Sequence, residues 1–257
     1  MITEHNRKAW DKQVEYRNPW TIPVSSGEIE KARKGEWRIF LTPTIPVPKN
    51  WFPNLNGAKV LCLASGGGQQ GPIMAAAGAE VTVFDNSHRQ LEQDNYVAKR
   101  DGLEIKTVLG DMADLSEFDD ETFDLIIHPV SNTFVPDVLP VWKEAYRVLR
   151  KGSSLISGFD NPLLHIFDEN EYNKRNLVVQ NKIPFSDAEL LSKKEIEKRL
   201  KEGNPLEFGH TLDDQIGGQI AAGFVITGFY EDKCEEKDND LLSQYISTFI
   251  ATRADKR

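Results

Sequence analysis

Two rhythms of apolar and polar residues alternate between residues 59 and 160. Short, continuous apolar runs bounded by turn residues predict strands at Val60–Ala64, Glu80–Asp85, Glu104–Leu109, Phe123–His128 and Ser153–Phe159. Between them lie stretches with helical spacing. Pro72 to Gly78 makes a compact first helix, and Ser87 with Gln90 has the capping spacing for a second from about His88 to Arg100, stopped by Asp101-Gly102. Val138, Val141, Trp142, Ala145, Val148 and Leu149 mark a third, with Lys151-Gly152 as its stop.

Strand and helix in alternation specify an α/β fold: a doubly wound, mostly parallel sheet with right-handed crossovers and helices on both faces. After residue 210 the rhythm resumes with a helix from Thr211 to Ala222, then apolar runs Phe224–Tyr230 and Tyr245–Thr252. A short charged connection joins these last two, so they are expected to pair antiparallel as a terminal hairpin of a seven-stranded sheet.

Two segments stand outside this pattern. Residues 1–56 hold Trp10, Trp20, Trp37 and Trp51, a capping box at Ser25 and Glu28 that predicts a short helix ending near Gly35, and prolines 43, 46, 48 and 53 that impose an extended path. Their aromatics either form a lid over a ligand or pack on the outside of the sheet. Residues 160–208 are polar and charged, with one helix expected from Ser192 to Leu200, and read as an insertion rather than a second domain. The chain as a whole, 1–257, is expected to be one domain.

Composition narrows the function. A net charge of -9 opposes binding to a nucleic-acid backbone and favours a small-molecule partner. No apolar run is long enough to span a bilayer, and the start Met1-Ile2-Thr3-Glu4 lacks a secretory signature, so no membrane partner and a cytoplasmic location are expected. Cys62 and Cys234 have no metal-ligand spacing, and Asp119-Asp120-Glu121 reads as a solvated loop; no metal is expected. Oligomeric state is not legible.

The candidate chemistry sits at strand ends. After the first strand come Gly66, Gly67 and Gly68, where backbone N–H groups can approach an anionic ligand group at the start of a helix. Gly66, Gly68 and Gly71 match G-x-G-x-x-G literally, which keeps a nicotinamide-dependent oxidoreductase in play. Asp85 ends the second strand, placed to accept hydrogen bonds from two ribose hydroxyls, with Asn86 and Ser87 beside it. Asp111 ends the third strand, flanked by Gly110 and Met112, where a carboxylate meets an exocyclic amine while Met112 packs on a ring. His128 and Pro129 leave the fourth strand next to the glycine loop, and His128 is the first candidate for a general base. His165, Tyr172 and His210 are further candidates that nothing in the sequence orients.

Together, Val60-Leu61-Cys62-Leu63-Ala64-Ser65-Gly66-Gly67-Gly68, Val83-Phe84-Asp85, Gly110-Asp111-Met112, Phe123-Asp124-Leu125-Ile126-Ile127 and Tyr146-Arg147-Val148-Leu149-Arg150-Lys151-Gly152 resemble the class I S-adenosylmethionine-dependent methyltransferases. The resemblance covers residues 57–159. It implies S-adenosyl-L-methionine as cofactor, its methionine part on the loop Ala64, Ser65, Gly66, Gly67, Gly68 and Gln69, its ribose on Asp85 and its adenine on Asp111 with Met112. It further implies methyl transfer; the segments 1–56 and 160–208, which the resemblance does not cover, are expected to form the pocket of a small-molecule acceptor. One departure is Cys62, where family members usually carry an acid, with Ala64 where they carry glycine; Ser65, Gln69 or the His128 region would substitute. That departure also motivates a third alternative, a cofactor-binding regulatory or scaffold protein without transfer activity.

Overall fold

A computed structural model describes residues 2–235 and 240–257. Seven strands form one sheet: β1 (Lys59–Leu63), β2 (Glu80–Asp85), β3 (Ile105–Leu109), β4 (Phe123–His128), β5 (Leu149–Asp160), β6 (Val225–Asp232) and β7 (Phe249–Asp255). Their order is β3-β2-β1-β4-β5-β7-β6, parallel from β3 through β5, with β7 antiparallel to both neighbours. The doubly wound sheet with a terminal antiparallel pair is therefore present. The connection between β6 and β7 includes residues 236–239, outside the described residues.

The continuous apolar run of β1 follows from burial on both faces. Leu61 and Leu63 enter one core with Trp142, Val141 and Phe84, whereas Val60 and Cys62 enter the other with Met74, Val83 and Trp51. These four β1 side chains are fully buried, and only Lys59 at its start is exposed. The helices between strands are α3 (Gln70–Ala76), α4 (His88–Asp101) and α5 (Leu139–Val148). Ser87 caps α4 by accepting from the Gln90 N–H at 3.1 Å; its hydroxyl donates to Asp11 at 2.7 Å, so the cap also ties the amino-terminal segment down.

Three sequence expectations shift. Lys151-Gly152 does not stop α5: the helix ends at Val148, Leu149 already pairs with Phe123 in β5, and Gly152 takes a φ of +78° as an irregularity within the strand. The last strand begins at Phe249 rather than Tyr245, because Leu242–Gln244 forms a 3₁₀ turn first. The helix expected from Thr211 is a π-turn, Asp213–Gly217, running into a short α-helix, Gly218–Ala222.

The amino-terminal segment contains a helix that patterning missed, α1 (Ile2–Glu15), followed by the capped helix α2 (Ser26–Arg33). Its tryptophans divide into two pairs. Trp10 and Trp20 line a cavity, whereas Trp37 and Trp51 pack outside the sheet, edge-on to Phe52 and against Tyr230. In the 160–208 segment the main element is the helix Lys193–Glu202, close to the expected span, and a two-residue ribbon pairs Phe185–Ser186 with Phe208–Gly209.

Candidate active site

The carboxyl ends of β1, β2, β3 and β4 open onto one cavity of about 250 Å³, closed on its other side by the amino-terminal segment. From the sheet come Ala64, Ser65, Gly66, Gln69, Asp85, Asn86, Gly110, Asp111, Met112 and Pro129. From the cap come Thr3, Asn6, Trp10, Trp20 and the run Phe40–Pro43. Four expected site residues, Gly67, Gly68, Ser87 and His128, do not line it.

Two of these, Gly67 and Gly68, belong to the glycine loop. Ala64 turns out of β1 with a φ of +47°, a left-handed conformation that costs an alanine roughly 1–2 kcal/mol and a glycine almost nothing. Gly66 donates its N–H to Asp85 at 2.9 Å and faces the cavity. Gly67 and Gly68 turn away, beneath the loop. The Gly67 N–H donates to the Asp94 carboxylate of α4 at 3.0 Å, and a Cβ on Gly67 would lie 2.8 Å from the Trp20 carbonyl. These glycines therefore permit close packing of loop, α4 and cap.

Asp94 places a carboxylate near Cys62, beneath the glycine loop, and does not line the cavity. The Cys62 side chain is fully buried and its thiol is pushed well up by burial and by the Asp94 charge, so it remains a neutral packing group. Asp94, also fully buried, carries the carboxylate beneath the loop from a different element; burial raises its pKa to about 8 despite the Gly68 and Gly67 N–H groups. Its Oδ1 has no hydrogen-bond partner, which agrees with a preference for the protonated form.

Asp85 accepts from the Gly66 and Ser87 N–H groups at 2.9 and 2.8 Å, yet burial lifts its pKa to about 6. It retains lone pairs toward the cavity. Asp111 accepts from the Ala113 N–H and the Thr3 hydroxyl, each at 3.0 Å, and Asn86 donates to the Thr3 carbonyl at 2.9 Å. The start of α1 therefore closes over the β2 and β3 ends. Gln69 donates to the Pro19 and Ile22 carbonyls, both at 3.1 Å, so its side chain anchors the cap.

His128 stands behind the cavity wall, fully buried, with Nδ1 2.8 Å from the Leu63 carbonyl and Nε2 2.6 Å from the Asn132 amide. Burial lowers its pKa below the usual histidine value. The Asn132 atom at Nε2 is Oδ1, and the Asn132 NH₂ donates onward to Gln215 Oε1 at 2.9 Å. With both nitrogens engaged, the ring holds the β4 exit and has no free atom for an acceptor. His165 pairs with Asp160 at 2.5 Å, Tyr172 donates to Asp240 at 2.6 Å and His210 contacts the Asn132 carbonyl at 3.0 Å; none lines the cavity.

No residue of 160–208 lines the cavity either, which corrects the expectation that this insertion forms part of the acceptor pocket. It supports the cap from behind instead. Lys12 donates to the Leu200 carbonyl at 2.8 Å and Gln13 to the Gly203 carbonyl at 2.6 Å. Asn6, buried beside them, donates to the carbonyls of Phe134 and Leu206 and accepts from the Leu206 N–H at 2.7 Å. The physical reason is that 160–208 packs on the far side of α1.

A parallel sheet in this strand order, with a glycine loop after β1 and carboxylates ending β2 and adjoining β3, defines the class I methyltransferase fold. Comparison with known proteins supplies the rest. Residues 61–157 match the family model described as "Methyltransferase domain". Over 255 residues, 99% of this chain and 98% of the other, the sequence is 56% identical to a Bacillus subtilis (strain 168) protein named "Uncharacterized methyltransferase YbaJ". Similarity also extends, at 28% identity over 48% of this chain and 33% of the other, to a sterol 24-C-methyltransferase of Pneumocystis carinii. A solved S-adenosylmethionine-dependent methyltransferase from Mesorhizobium loti shares the fold with a TM-score of 0.60 at 16% identity, covering 80% of this chain and 94% of that one. The chain belongs to the class I S-adenosylmethionine-dependent methyltransferases. S-adenosylmethionine is its cofactor.

The residues present fit that group. A Cβ on Gly66 would come within 3.0 Å of the Asp85 carboxyl carbon, so only glycine leaves the approach to Asp85 open. Gln90 Oε1, on a residue of the cavity wall, is buried without a partner and available to a donor.

Proposed function

We propose that this methyltransferase modifies a small-molecule acceptor held between the strand ends and the amino-terminal cap. One observation carries the reading: a single cavity has carboxylates at the β2 and β3 ends on one side and the aromatic side chains of Trp10, Trp20 and Phe40 on the other. S-adenosylmethionine, when bound, supplies a methyl group activated by a sulfonium. The chain's residues then bind, orient and exclude water. Asp85 accepts from the ribose hydroxyls, with Asn86 beside it; Asp111 accepts from the adenine amine, with Met112 and Gly110 against the ring. Ala64, Ser65 and Gly66 border the methionine part, and Pro129 borders the reactive end.

Alignment is the principal requirement for an in-line displacement, and a rigid cap meets it by fixing both partners and keeping water out. The cap is held by backbone-directed bonds from Gln69, Gln70 and Asn6, so its position does not depend on the acceptor. One-domain organisation, with 1–56 as cap and 160–208 as its support, belongs to the same proposal, as does a cytoplasmic location. The latter is supported by the acidic balance and by the lack, among the described residues, of a helix long and apolar enough to cross a membrane.

The test is transfer of labelled methyl from S-adenosylmethionine into a metabolite extract, alongside calorimetry with S-adenosylhomocysteine. Label in the dialysable fraction and tight S-adenosylhomocysteine binding are expected. Binding without any labelled small molecule across suitable extracts would overturn the transfer reading.

A further inference from the structure

The cavity wall is chemically lopsided. Among the described residues that line it there is no Lys, Arg, His, Tyr, Cys or Glu; its ionisable side chains are Asp85 and Asp111. Both lie at the strand ends assigned above to the cofactor. The remaining wall is dominated by five rings, Trp10, Trp20, Phe40, Phe134 and Phe249, with Trp10 edge-to-face on Phe134 at a centroid distance of 5.1 Å.

This wall excludes some acceptors and selects others. A phosphate or carboxylate entering it would be desolvated with no countercharge, an uncompensated burial that binding sites avoid. An acceptor hydroxyl would find no base to take its proton: His128 is sealed behind the wall with both nitrogens engaged, and the two carboxylates, Asp85 and Asp111, are the ones assigned above to the ribose and adenine of the cofactor. A positive charge is welcome, because the faces of tryptophan and phenylalanine rings attract cations and the two carboxylates add to that attraction.

We infer that the acceptor is apolar and uncharged, and that it is methylated on an atom with a free electron pair and no proton to shed, such as a weakly basic tertiary nitrogen or a thioether sulfur. The inference rests on the methyl-transfer reading. In the step, the acceptor's electron pair forms the new bond to the methyl carbon, while the electrons of the broken carbon–sulfur bond stay on the donor sulfur. No proton moves, and the positive charge passes to the product, which leaves as a cation. The aromatic wall then favours the product side of the transfer, where the charge arrives.

Three probes of similar size test this on the full chain saturated with S-adenosylhomocysteine, by calorimetry and ligand-observed NMR: trimethylphenylammonium, its uncharged isostere tert-butylbenzene, and phenyl phosphate. The cation should bind at least about fivefold more tightly than the isostere, and phenyl phosphate more weakly than either. In Trp20→Leu and Phe40→Leu the cation-to-isostere ratio should fall toward one. Equal binding of cation and isostere, binding of phenyl phosphate as tight as that of the cation, or displacement of the cation by S-adenosylhomocysteine would overturn the inference. If S-adenosylhomocysteine itself fails to bind, the methyl-transfer reading fails, and the cation-to-isostere ratio on the protein alone still decides the character of the wall.

Discussion

The two walls of the cavity are built in opposite ways. On the sheet side, each residue sits within a few positions of a strand end, and the backbone of β1, β2 and β3 places it: Gly66 after β1, Asp85 at the end of β2, Asp111 just past β3. On the cap side, the residues come from a helix, a 3₁₀ turn and an extended run, held only by contacts to distant parts of the chain, such as Asn6 to Phe134 and Leu206. The difference is one of tolerance. A strand end delivers its carboxylate wherever the sheet forms, whereas the cap wall exists only if a few long-range hydrogen bonds are made.

The sharpest way to break the sheet wall is Asp85→Ala. Losing hydrogen bonds to a charged acceptor should weaken S-adenosylhomocysteine binding by about 100-fold, read by calorimetry. The fold should survive, because the buried carboxylate is itself costly. In the wild type, affinity should drop as pH falls through about 6, where Asp85 takes up a proton and loses acceptor capacity. Unchanged affinity in the variant would show that the ribose does not lie on Asp85.

The matching change on the cap side is Asn6→Ala, which leaves the Phe134 and Leu206 carbonyls and the Leu206 N–H unpaired. Urea unfolding should reveal a loss of about 2–3 kcal/mol, and cleavage by a protease within residues 16–25 should accelerate. A variant as stable and as resistant as the wild type would show that the cap is held otherwise.

Asp94→Asn probes the joint between the two walls. Because the folded-state pKa of Asp94 is raised to about 8, the folded chain binds a proton that the unfolded chain has released, so stability falls as pH rises from about 4 to about 8. Asparagine removes that contribution, and urea midpoints across this range should show a shallower decline. An unaltered slope would mean that Asp94 stays ionised. The smallest effect is expected from Ala64→Gly, which relieves a left-handed alanine at the loop entry and should stabilise the chain by up to about 1 kcal/mol in thermal unfolding; destabilisation would show that the alanine methyl packs usefully.

The same contrast explains what was legible in the sequence. The sheet, its order of elements and the strand-end residues were readable because apolar runs, glycines and caps are local signals. Helix α1 was not, because its buried residues are His5, Asn6 and Ala9, so polar side chains carry the inward face and no apolar stripe appears. The supporting role of 160–208 was hidden for a related reason: Lys12 and Gln13 bond to main-chain carbonyls there, which any residue type could supply. Asp94 was invisible as the acid beneath the glycine loop, because it lies 32 positions after Cys62, on another element, and only the fold brings it under Gly67. His128 misled because its strand-end position matches a base, while its rotamer turns inward to Leu63.

The Asn6 bonds also set an order of events during synthesis. Helix α1 leaves the ribosome well before its partner Leu206, which follows Asn6 by 200 residues. At roughly 5–20 residues per second that is a wait of about 10–40 s. Strands β1 to β5 precede Leu206 and β6 and β7 follow it, so the nascent chain passes through a stage in which α1 lacks the partner on which it docks. The stretch that closes the cavity is placed long after it is made.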